Sequence, residues 1–426
     1  MICFRTLIAA FLFVFVHCLS AQSGLQNIVN KYNIQTKLGF QLWGTYTMGQ
    51  SIFDQEQGTY QLVDNRANMQ IRRTRMSISA DLKDNLSFKM VANLDLVGRD
   101  ILSATQGGAN NDVAPQFGLW DLHLGWNVAP DSDGAHLIVG YLSPQIGRAS
   151  ITGATVAPSF EKVWSQNYVR RTMVGTGPGR AMGMNLGGQF RKEKGAIALS
   201  YDLGLFNPVN TGIGGNSAGA RSSLLWTGRV VAHFGDPESD QYSMSHKTNY
   251  HNQRNGVSLA MQGSHQGGTD LFVKSQVYGF DLLANYGRLN VDGQWVTIRR
   301  ISRDFAIDEW ASSEVSYIRC SYNIGDVNGR WFEPVITWMQ LKGAMDQAGQ
   351  NRALSAGTFA GKDRFFEYTL NYYLRPDIRL MVSYTENSGD AGSGEIGAEI
   401  NNYFRQGGLG GIERGDLIGM GIVFVL

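Results

Sequence analysis

Basic side chains recur on the polar faces of segments in which apolar and polar residues alternate. The alternation places five of them on such faces, namely Arg73, Arg75, Lys89, Arg229 and Arg379. Asp95 and Asp121 lie on faces of the same kind. Guanidinium and ammonium groups along a narrow water-filled path attract anions. All seven residues, which share these polar faces, are candidates for the lining of such a path. The alternative is that the basic residues form wall-stabilising ion pairs with acids, namely Asp81, Asp95, Asp121 and Glu367.

A second group of charged residues lies in segment 144–180, among small residues. Its candidates for a constriction are Arg148, Lys162, Arg170, Arg171 and Arg180, with Glu161 beside them. If the segment folds inward, it sets the width and the charge of an interior path. If it lies outside, it is a surface loop. We expect the first arrangement.

Two glycine-containing stretches suggest other ligands. Residues 175–179, Gly-Thr-Gly-Pro-Gly, resemble a phosphate cradle, but no strand and helix flank them in the order that a dinucleotide site needs. Loop 387–400 carries Asp390, Glu395 and Glu399, which could hold calcium. Their spacing matches no known calcium loop, so a flexible acidic loop is the better interpretation. The sequence therefore predicts neither a cofactor nor a metal.

The histidines offer no arrangement for catalysis. His123 and His233 fall on polar faces, and no Gly-x-Ser-x-Gly motif lies near them. The sequence therefore predicts that the protein is not an enzyme. The formal net charge of +1 gives no general basic field, so nucleic acid is not an expected partner.

The clearest alternating segment predicts a β-hairpin. Residues 71–82 place one apolar set on a single face, namely Thr74, Met76, Ile78, Ala80 and Leu82. The opposite face carries Arg73, Arg75, Ser77, Ser79 and Asp81. A polar turn at 83–85 leads into a similar strand at 86–97. Near residue 120 the same alternation places Trp120 on the apolar face with Leu122, Leu124 and Trp126.

Composition indicates where these apolar faces lie. The chain of 426 residues has 52 glycines, 9 prolines, 11% aromatic and only 17% charged residues. A soluble chain usually has about 25% charged residues. Aromatic residues recur near the ends of the apolar faces, and charged residues recur on the opposite faces. This pattern is typical of strands that face lipid on one side and a polar interior on the other.

The predicted fold class is therefore all-β, a transmembrane antiparallel β-barrel of about 16 strands. The candidate strands are 33–48, 70–82, 86–97, 117–127, 136–143, 181–190, 195–206, 223–234, 254–263, 271–286, 288–300, 312–323, 330–341, 363–374, 377–386 and 417–426. Long connections, expected outside the cell, alternate with short ones, expected in the periplasm. Segment 235–253 is too long for a short turn at its place. A barrel of 16 strands leaves an aqueous lumen.

The first 21 residues predict a cleaved signal peptide. Arg5 precedes an apolar run over 7–19, and the small residues Ser20 and Ala21 follow it. Residues 22–426 then form the barrel, with 144–180 as its constriction loop. Without the signal the chain keeps one cysteine, Cys320, so no internal disulfide is expected.

Several stretches resemble the phosphate-selective porin O and P family. The first runs from Ile71 to Met76 and continues through Leu86 to Met90, an arginine-rich strand followed by a Phe-Lys strand. Residues 137–141, 177–180 and 422–426 resemble the strand before the third loop, the entry to the next strand and a terminal insertion signal. The likeness is closest over 70–97 and 136–206. It implies a trimeric, 16-stranded porin whose third loop narrows the channel, and phosphate as a solute.

The sequence thus favours a passive porin in the outer membrane of a Gram-negative bacterium. Its expected partners are outer-membrane lipid, small hydrophilic solutes or anions, and two further copies of the chain in a homotrimer. The first alternative is a structural or partner-binding barrel without significant conductance. The second is an exported soluble β-protein.

Overall fold

The computed structural model describes residues 27–426 apart from 55, 83–84, 101, 104–116, 176–177, 192–196, 210–216, 307, 391 and 393–411. The predicted signal peptide therefore lies outside the described residues. The strands are β1 (Gln35–Met48), β2 (Ser51–Asp54), β3 (Thr59–Leu62), β4 (Arg66–Asp81), β5 (Leu86–Leu94), β6 (Phe117–Asn127), β7 (His136–Leu142), β8 (Ala181–Arg191), β9 (Ile197–Asn207), β10 (Leu225–Gly235), β11 (Gly256–Gln266), β12 (Phe272–Tyr286), β13 (Leu289–Ser302), β14 (Trp310–Tyr322), β15 (Ile324–Gly325), β16 (Trp331–Lys342), β17 (Lys362–Arg375), β18 (Ile378–Asp390), β19 (Ile412–Glu413) and β20 (Asp416–Val425). The helical segments are α1 (27–31), α2 (Arg148–Ile151), α3 (Ser165–Val174) and α4 (Gln347–Ser355). No helix in the described ranges is both long and apolar enough to cross a membrane.

Sixteen long strands form one closed antiparallel barrel. Each pairs with the next long strand along the chain, and β1 closes the ring by pairing with β20 from Gly39–Val425 to Met48–Asp416. The short strand β15 continues β14 along β16, while β2, β3 and β19 form a small separate sheet. The predicted fold class and strand number are confirmed. Every predicted strand overlaps one of the sixteen.

The connections divide the barrel into two ends. At one, the turn end, adjacent strands are joined by short turns such as 287–288 and 376–377. At the other, the loop end, most connections are long, as at 95–116 and 143–180. The alternation of short and long connections is as predicted. The exception is 236–255, a long connection at the turn end, between β10 and β11.

The two faces of the wall differ in polarity. Outward-facing apolar side chains are exposed along the strands, and aromatic rings stack between neighbours, as in Phe40–Phe424 at 5.0 Å and Phe332–Tyr372 at 4.6 Å between ring centroids. Inward-facing positions carry buried polar and charged side chains. This arrangement is the reverse of a soluble protein and fits a wall whose outer surface contacts lipid.

Two β-bulges interrupt the alternation at points that matter for the interior. In β4, Arg73 pairs with Gln41 and Ile71 with Leu42, so Arg72 is an extra residue. In β6, Asp121 pairs with Val91 and Leu119 with Ala92, so Trp120 is extra. Because a bulge turns two consecutive side chains to one face, Arg72 and Arg73 both point inward, as do Trp120 and Asp121. The predicted position of Trp120 on the outer apolar face is therefore wrong.

Substitutions on strand β9 test which face contacts lipid. Leu203, in the middle of the strand, and Ile197, at its turn end, point outward and are 53% and 52% exposed. We expect Leu203→Arg to lower the free energy of unfolding by about 2–4 kcal/mol and Ile197→Arg by less than about 1 kcal/mol, because the cost of arginine depends on depth in the bilayer. Denaturant titration of the protein folded into lipid vesicles measures both. Equal, small effects would contradict the assignment of this face to lipid.

Candidate functional site

The connection between β7 and β8, residues 143–180, folds into the barrel over its described part and is called the inner loop. Its helix α3 presents Tyr168, Val169 and Met173 to inward-facing apolar residues of the far wall. That wall contributes Val277, Val296, Val315, Met339 and Phe365. The helix ends at Gly175, whose left-handed conformation (φ 76°) allows its N–H to bond to the carbonyl of Arg171. Burial of this apolar face holds the inner loop inside.

The middle of the inner loop contacts strands β1, β17 and β18. The Phe160 ring stacks on Trp43 of β1, with centroids 4.3 Å apart. The backbone N–H of Phe160 donates to Glu367 of β17 at 2.9 Å, and Arg379 of β18 donates to the Ala157 carbonyl at 2.6 Å. The inner loop therefore crosses the whole interior.

A buried ion pair fastens the inner loop to the bulge of β4. Arg72 Nη2 lies 2.6 Å from Glu161 Oε2, and Arg73 bonds to the other carboxylate oxygen. Burial alone would raise the pKa of Glu161, but Arg72 and Arg73 hold it below its usual value. The bulge is what brings both arginines to one carboxylate.

A second buried cluster lies at α2. Arg148 is fully buried and donates through Nε to Asp281 at 2.9 Å. Its two Nη groups donate to Glu238 at 2.7 Å each, and Arg229 also donates to Asp281, at 3.0 Å. Buried charges in proteins are paired in this way because an unpaired one is costly.

A cavity of about 1070 Å³ remains between the inner loop and the wall formed by β1, β4, β5, β6, β7, β8 and β20. It reaches the turn end, where Lys37, Ser79 and Val425 line it. Its basic lining residues are Lys37, Arg72, Arg73, Arg75, Lys89, Lys162, Arg170, Arg180, Arg191, Lys247 and Arg254. Its acidic lining residues are Asp95, Asp121, Asp236, Glu238 and Asp240. Basic groups therefore outnumber acidic ones by about two to one.

The acidic residues of this cavity are mostly neutralised. Four form ion pairs with arginine, as Asp95–Arg75, Asp121–Arg180, Glu238–Arg148 and Asp240–Arg191. Asp236 accepts a hydrogen bond from the backbone N–H of Asn255. By contrast, no carboxylate among the described residues lies within ion-pair distance of the amines of four lining lysines, namely Lys37, Lys89, Lys162 and Lys247. The net field of the cavity is positive.

Trp120 lies at the wall of the cavity, and two guanidinium groups contact its indole ring. The Cζ atoms of Arg75 and Arg180 lie 3.9 and 4.1 Å from its ring centroids. Both arginines also pair with acids on the same wall, so the indole and the ion pairs fix one another. The alternating pattern did not indicate this arrangement, because the bulge that turns Trp120 inward has no local signature.

Lys162 and Arg170 meet on the inner loop. Lys162 Nζ donates to the Ser150 carbonyl at 3.3 Å, and Arg170 bonds to the same oxygen. Burial, together with Arg170, Arg180 and Arg73, lowers the pKa of the Lys162 amine well below its usual value. The group therefore titrates at a lower pH than an exposed lysine.

The twelve predicted site residues fall into three groups. Those that line the cavity are Arg73, Arg75, Lys89, Asp95, Asp121, Lys162, Arg170 and Arg180. Arg148, Arg229 and Arg379 are buried in the interior but covered by their partners and outside this lining. Arg171, on α3, is partly exposed and also outside the lining. Sequence analysis missed Arg72, Trp120 and every lining residue of segment 236–255.

Other ligand chemistry finds little support in the described ranges. No group of three His, Cys, Asp or Glu side chains there could hold a metal ion. Residues 176–177 of the glycine-rich stretch, and Glu395 and Glu399, lie outside the described residues. His233 Nε2 lies 2.9 Å from Ser200 Oγ, but its Nδ1 faces Ser258 Oγ at 2.7 Å rather than a carboxylate. That buried group lacks the acid of a Ser-His-Asp triad.

The closed 16-stranded barrel with an inward-folded loop is the fold of outer-membrane porins. It is similar in structure to OprB of Pseudomonas putida, with a TM-score of 0.57 and 8% identity over 94% of this chain and 96% of that chain. It is also similar to OmpF of Salmonella typhi (TM-score 0.54, 10% identity, 92% and 97% covered) and to an anion-selective porin from Comamonas acidovorans (0.52, 12%, 92% and 100%). At these identities the likeness shows the fold alone. No family model matches the chain, and no curated protein matches it. The resemblance to phosphate-selective porins thus stays a prediction.

The Glu161 cluster provides a test of how the inner loop is held. We expect Glu161→Gln to lower the free energy of unfolding by about 3 kcal/mol, because it leaves two buried arginines without their carboxylate. The matched control is Asp377→Asn, which removes the carboxylate partner of the exposed Arg375 and should leave stability unchanged. Denaturant titration measures both. If the two variants unfold alike, Glu161 does not anchor the inner loop.

Proposed function

We propose that this protein is a passive porin of the outer membrane that admits small hydrophilic solutes and prefers anions. The observation that carries this proposal is the charge of the cavity beside the inner loop. Its acids are mostly paired with arginines, and four lining lysines have no carboxylate at ion-pair distance within the described part of the chain. The excess positive charge faces the space through which a solute would move.

The surroundings of this charge strengthen its effect on ions. The inner loop narrows the lumen, and the barrel wall is a medium of low dielectric constant. Charges that line a narrow path between such walls are screened less than charges on an open surface. They raise the local concentration of anions and oppose the entry of cations. The anion-selective porin from Comamonas acidovorans shares the fold, which is compatible with this proposal.

The proposal includes the setting expected from the sequence. The chain would be exported by a signal peptide over 1–21, inserted into the outer membrane of a Gram-negative bacterium and assembled as a homotrimer. Phosphate is one of the small anions that the positive lining could admit. The alternative is a barrel without significant conductance. It is supported by the inner loop and segment 236–255, because both occupy part of the interior.

Conductance of the purified protein in a planar bilayer tests the proposal directly. We expect steady conducting steps, and a reversal potential under a salt gradient that shows anion preference. A folded barrel that carries no current would favour the structural alternative. A conducting barrel that prefers cations would refute the anion preference alone.

Reversal of one lining charge tests the origin of the selectivity. A unit charge about 8 Å from an ion, at an effective dielectric constant of about 40, contributes about 1 kcal/mol. Lys89→Glu changes the lining charge by two units and acts in opposite senses on anions and cations, so it should lower the ratio of anion to cation permeability by well over tenfold at low salt. Lys342→Glu makes the same charge change on the outer wall and should change it little. Equal effects of the two variants would show that the cavity charge does not set selectivity.

The lowered pKa of Lys162 predicts a pH dependence. Because the amine loses its charge as pH rises through that pKa, anion preference should fall at a pH well below about 10.4, where an ordinary lysine titrates. Lys162→Arg should move the fall to higher pH, since a guanidinium stays charged. Lys89→Arg, the control, should leave it in place. Reversal potentials recorded across the pH range measure this, and identical curves for all three proteins would contradict it.

A further inference from the structure

The connection 236–255, called the turn-end segment, is long where its neighbours are short. It joins β10 to β11 at the end of the barrel where turns such as 287–288 have two residues. Its length exceeds what the reversal of direction requires. The extra residues fold back into the interior rather than away from it.

One part of the turn-end segment is fixed to the wall at β7, β8 and β9. The Tyr242 hydroxyl donates to Asp202 at 2.5 Å and accepts from Asn185 at 2.9 Å. Its ring stacks on His136, with centroids 5.1 Å apart. A Cβ on Gly187 would lie 2.1 Å from the Tyr242 hydroxyl oxygen, so only glycine at that position leaves room for the tyrosine.

Another part is fixed to strands much farther round the barrel. Asn249 Nδ2 donates to Glu333 of β16 at 2.7 Å, and Asn285 of β12 donates to the Thr248 carbonyl at 2.9 Å. In the order of the sheet, β7 and β16 are separated by about half the ring. The turn-end segment is therefore stretched across the interior and held at both sides.

The turn-end segment is also joined to the inner loop. Glu238 accepts hydrogen bonds from both Nη groups of Arg148. Burial alone would raise the pKa of Glu238. Arg148 and His246 outweigh that effect and hold the pKa well below its usual range. The backbone N–H of Gly153 donates to the His246 carbonyl at 3.2 Å, within a parallel bridge between Thr152 and His246. The two elements therefore form one polar assembly.

The turn-end segment lines the same cavity as the inner loop. Its lining residues include Glu238, Ser245, His246, Lys247 and Arg254, whereas Ser243 is outside the lining. Lys247 Nζ lies 4.4 Å from the centroid of the Tyr250 ring. No carboxylate in the described ranges lies within ion-pair distance of this amine. A solute that passes the inner loop toward the turn end thus meets a second cationic element.

We propose that the turn-end segment is a second filter, in series with the inner loop, and that Lys247 is a selectivity-determining residue of its passage for small anions. This inference rests on the proposed function, since a filter needs a conducting pore. The turn end of the barrel thereby has a role in selecting solutes, because this connection is long enough to enter the interior and a two-residue turn is not.

Cysteine modification during conductance recording tests the proposal. Cys320, on the outer face of β14, is first replaced by serine. Ser245→Cys and Lys247→Cys are then treated with a negatively charged thiosulfonate, and Ser243→Cys serves as the control on the same segment. Modification at 245 or 247 should lower the single-channel current by about twofold, because the added group occupies part of a narrow path. Modification at 243 should leave the current unchanged.

A charge comparison at one position separates a filter from a structural support. At Lys247→Cys, an anionic and a cationic thiosulfonate of similar size should shift the reversal potential in opposite directions. Mass spectrometry confirms that each site has reacted. If modified 245 and 247 proteins conduct and select like the unmodified ones, the second filter is refuted while the porin remains. If the unmodified barrel carries no current, the proposed function fails and this inference with it.

Discussion

In a lipid bilayer no water is available to bond the peptide groups of an unpaired strand, and this constraint governs the whole molecule. It is met by the antiparallel pairing of β1 with β20, which leaves the sixteen strands without an edge. Closure then gives the wall an outer and an inner face. Because side chains alternate across a strand, one set must face lipid and the other the interior. The exposed apolar outer wall and the polar inner wall are both consequences of that single ring of hydrogen bonds.

Closure also turns charged side chains into the interior, where they need partners of opposite charge. Glu161 forms ion pairs with Arg72 and Arg73. Asp281 pairs with Arg148 and Arg229, and Asp95 pairs with Arg75. These pairs do more than cancel charge, since the first two tie the inner loop to opposite walls. What remains after pairing is the positive field of the cavity. The ion pairs and the field are therefore not rival interpretations of the same arginines. The pairs hold the elements that bound the cavity, and the basic groups in excess of the acids, the four lysines among them, provide its net charge.

Much of the fold could be predicted from the sequence, because alternation with a period of two is a local property. Residues 71–97 already specified a hairpin with Arg73, Arg75 and Lys89 on one face, and the strand number followed from repetition of such segments. The predictions failed where geometry departs from that period. The bulges at Arg72 and Trp120 each insert one residue, and nothing in the local sequence marks them. Segment 235–253 was recognised as too long, but the course of the connection 236–255 across the interior depends on Tyr242, Asn249 and their partners on distant strands.

The sequence by itself determined the class of fold, the two faces of the wall and the set of basic residues that could reach the interior. It did so because hydrophobicity and strand period act over a few neighbouring residues. Only the tertiary structure decided which of those residues meet. Arg148, Arg229 and Arg379 are covered by contacts from other elements, while Lys162 and Lys247 reach the cavity from two connections far apart in the chain. Such contacts join residues that have no relation in sequence, so they exist only once the barrel has closed around its own loops.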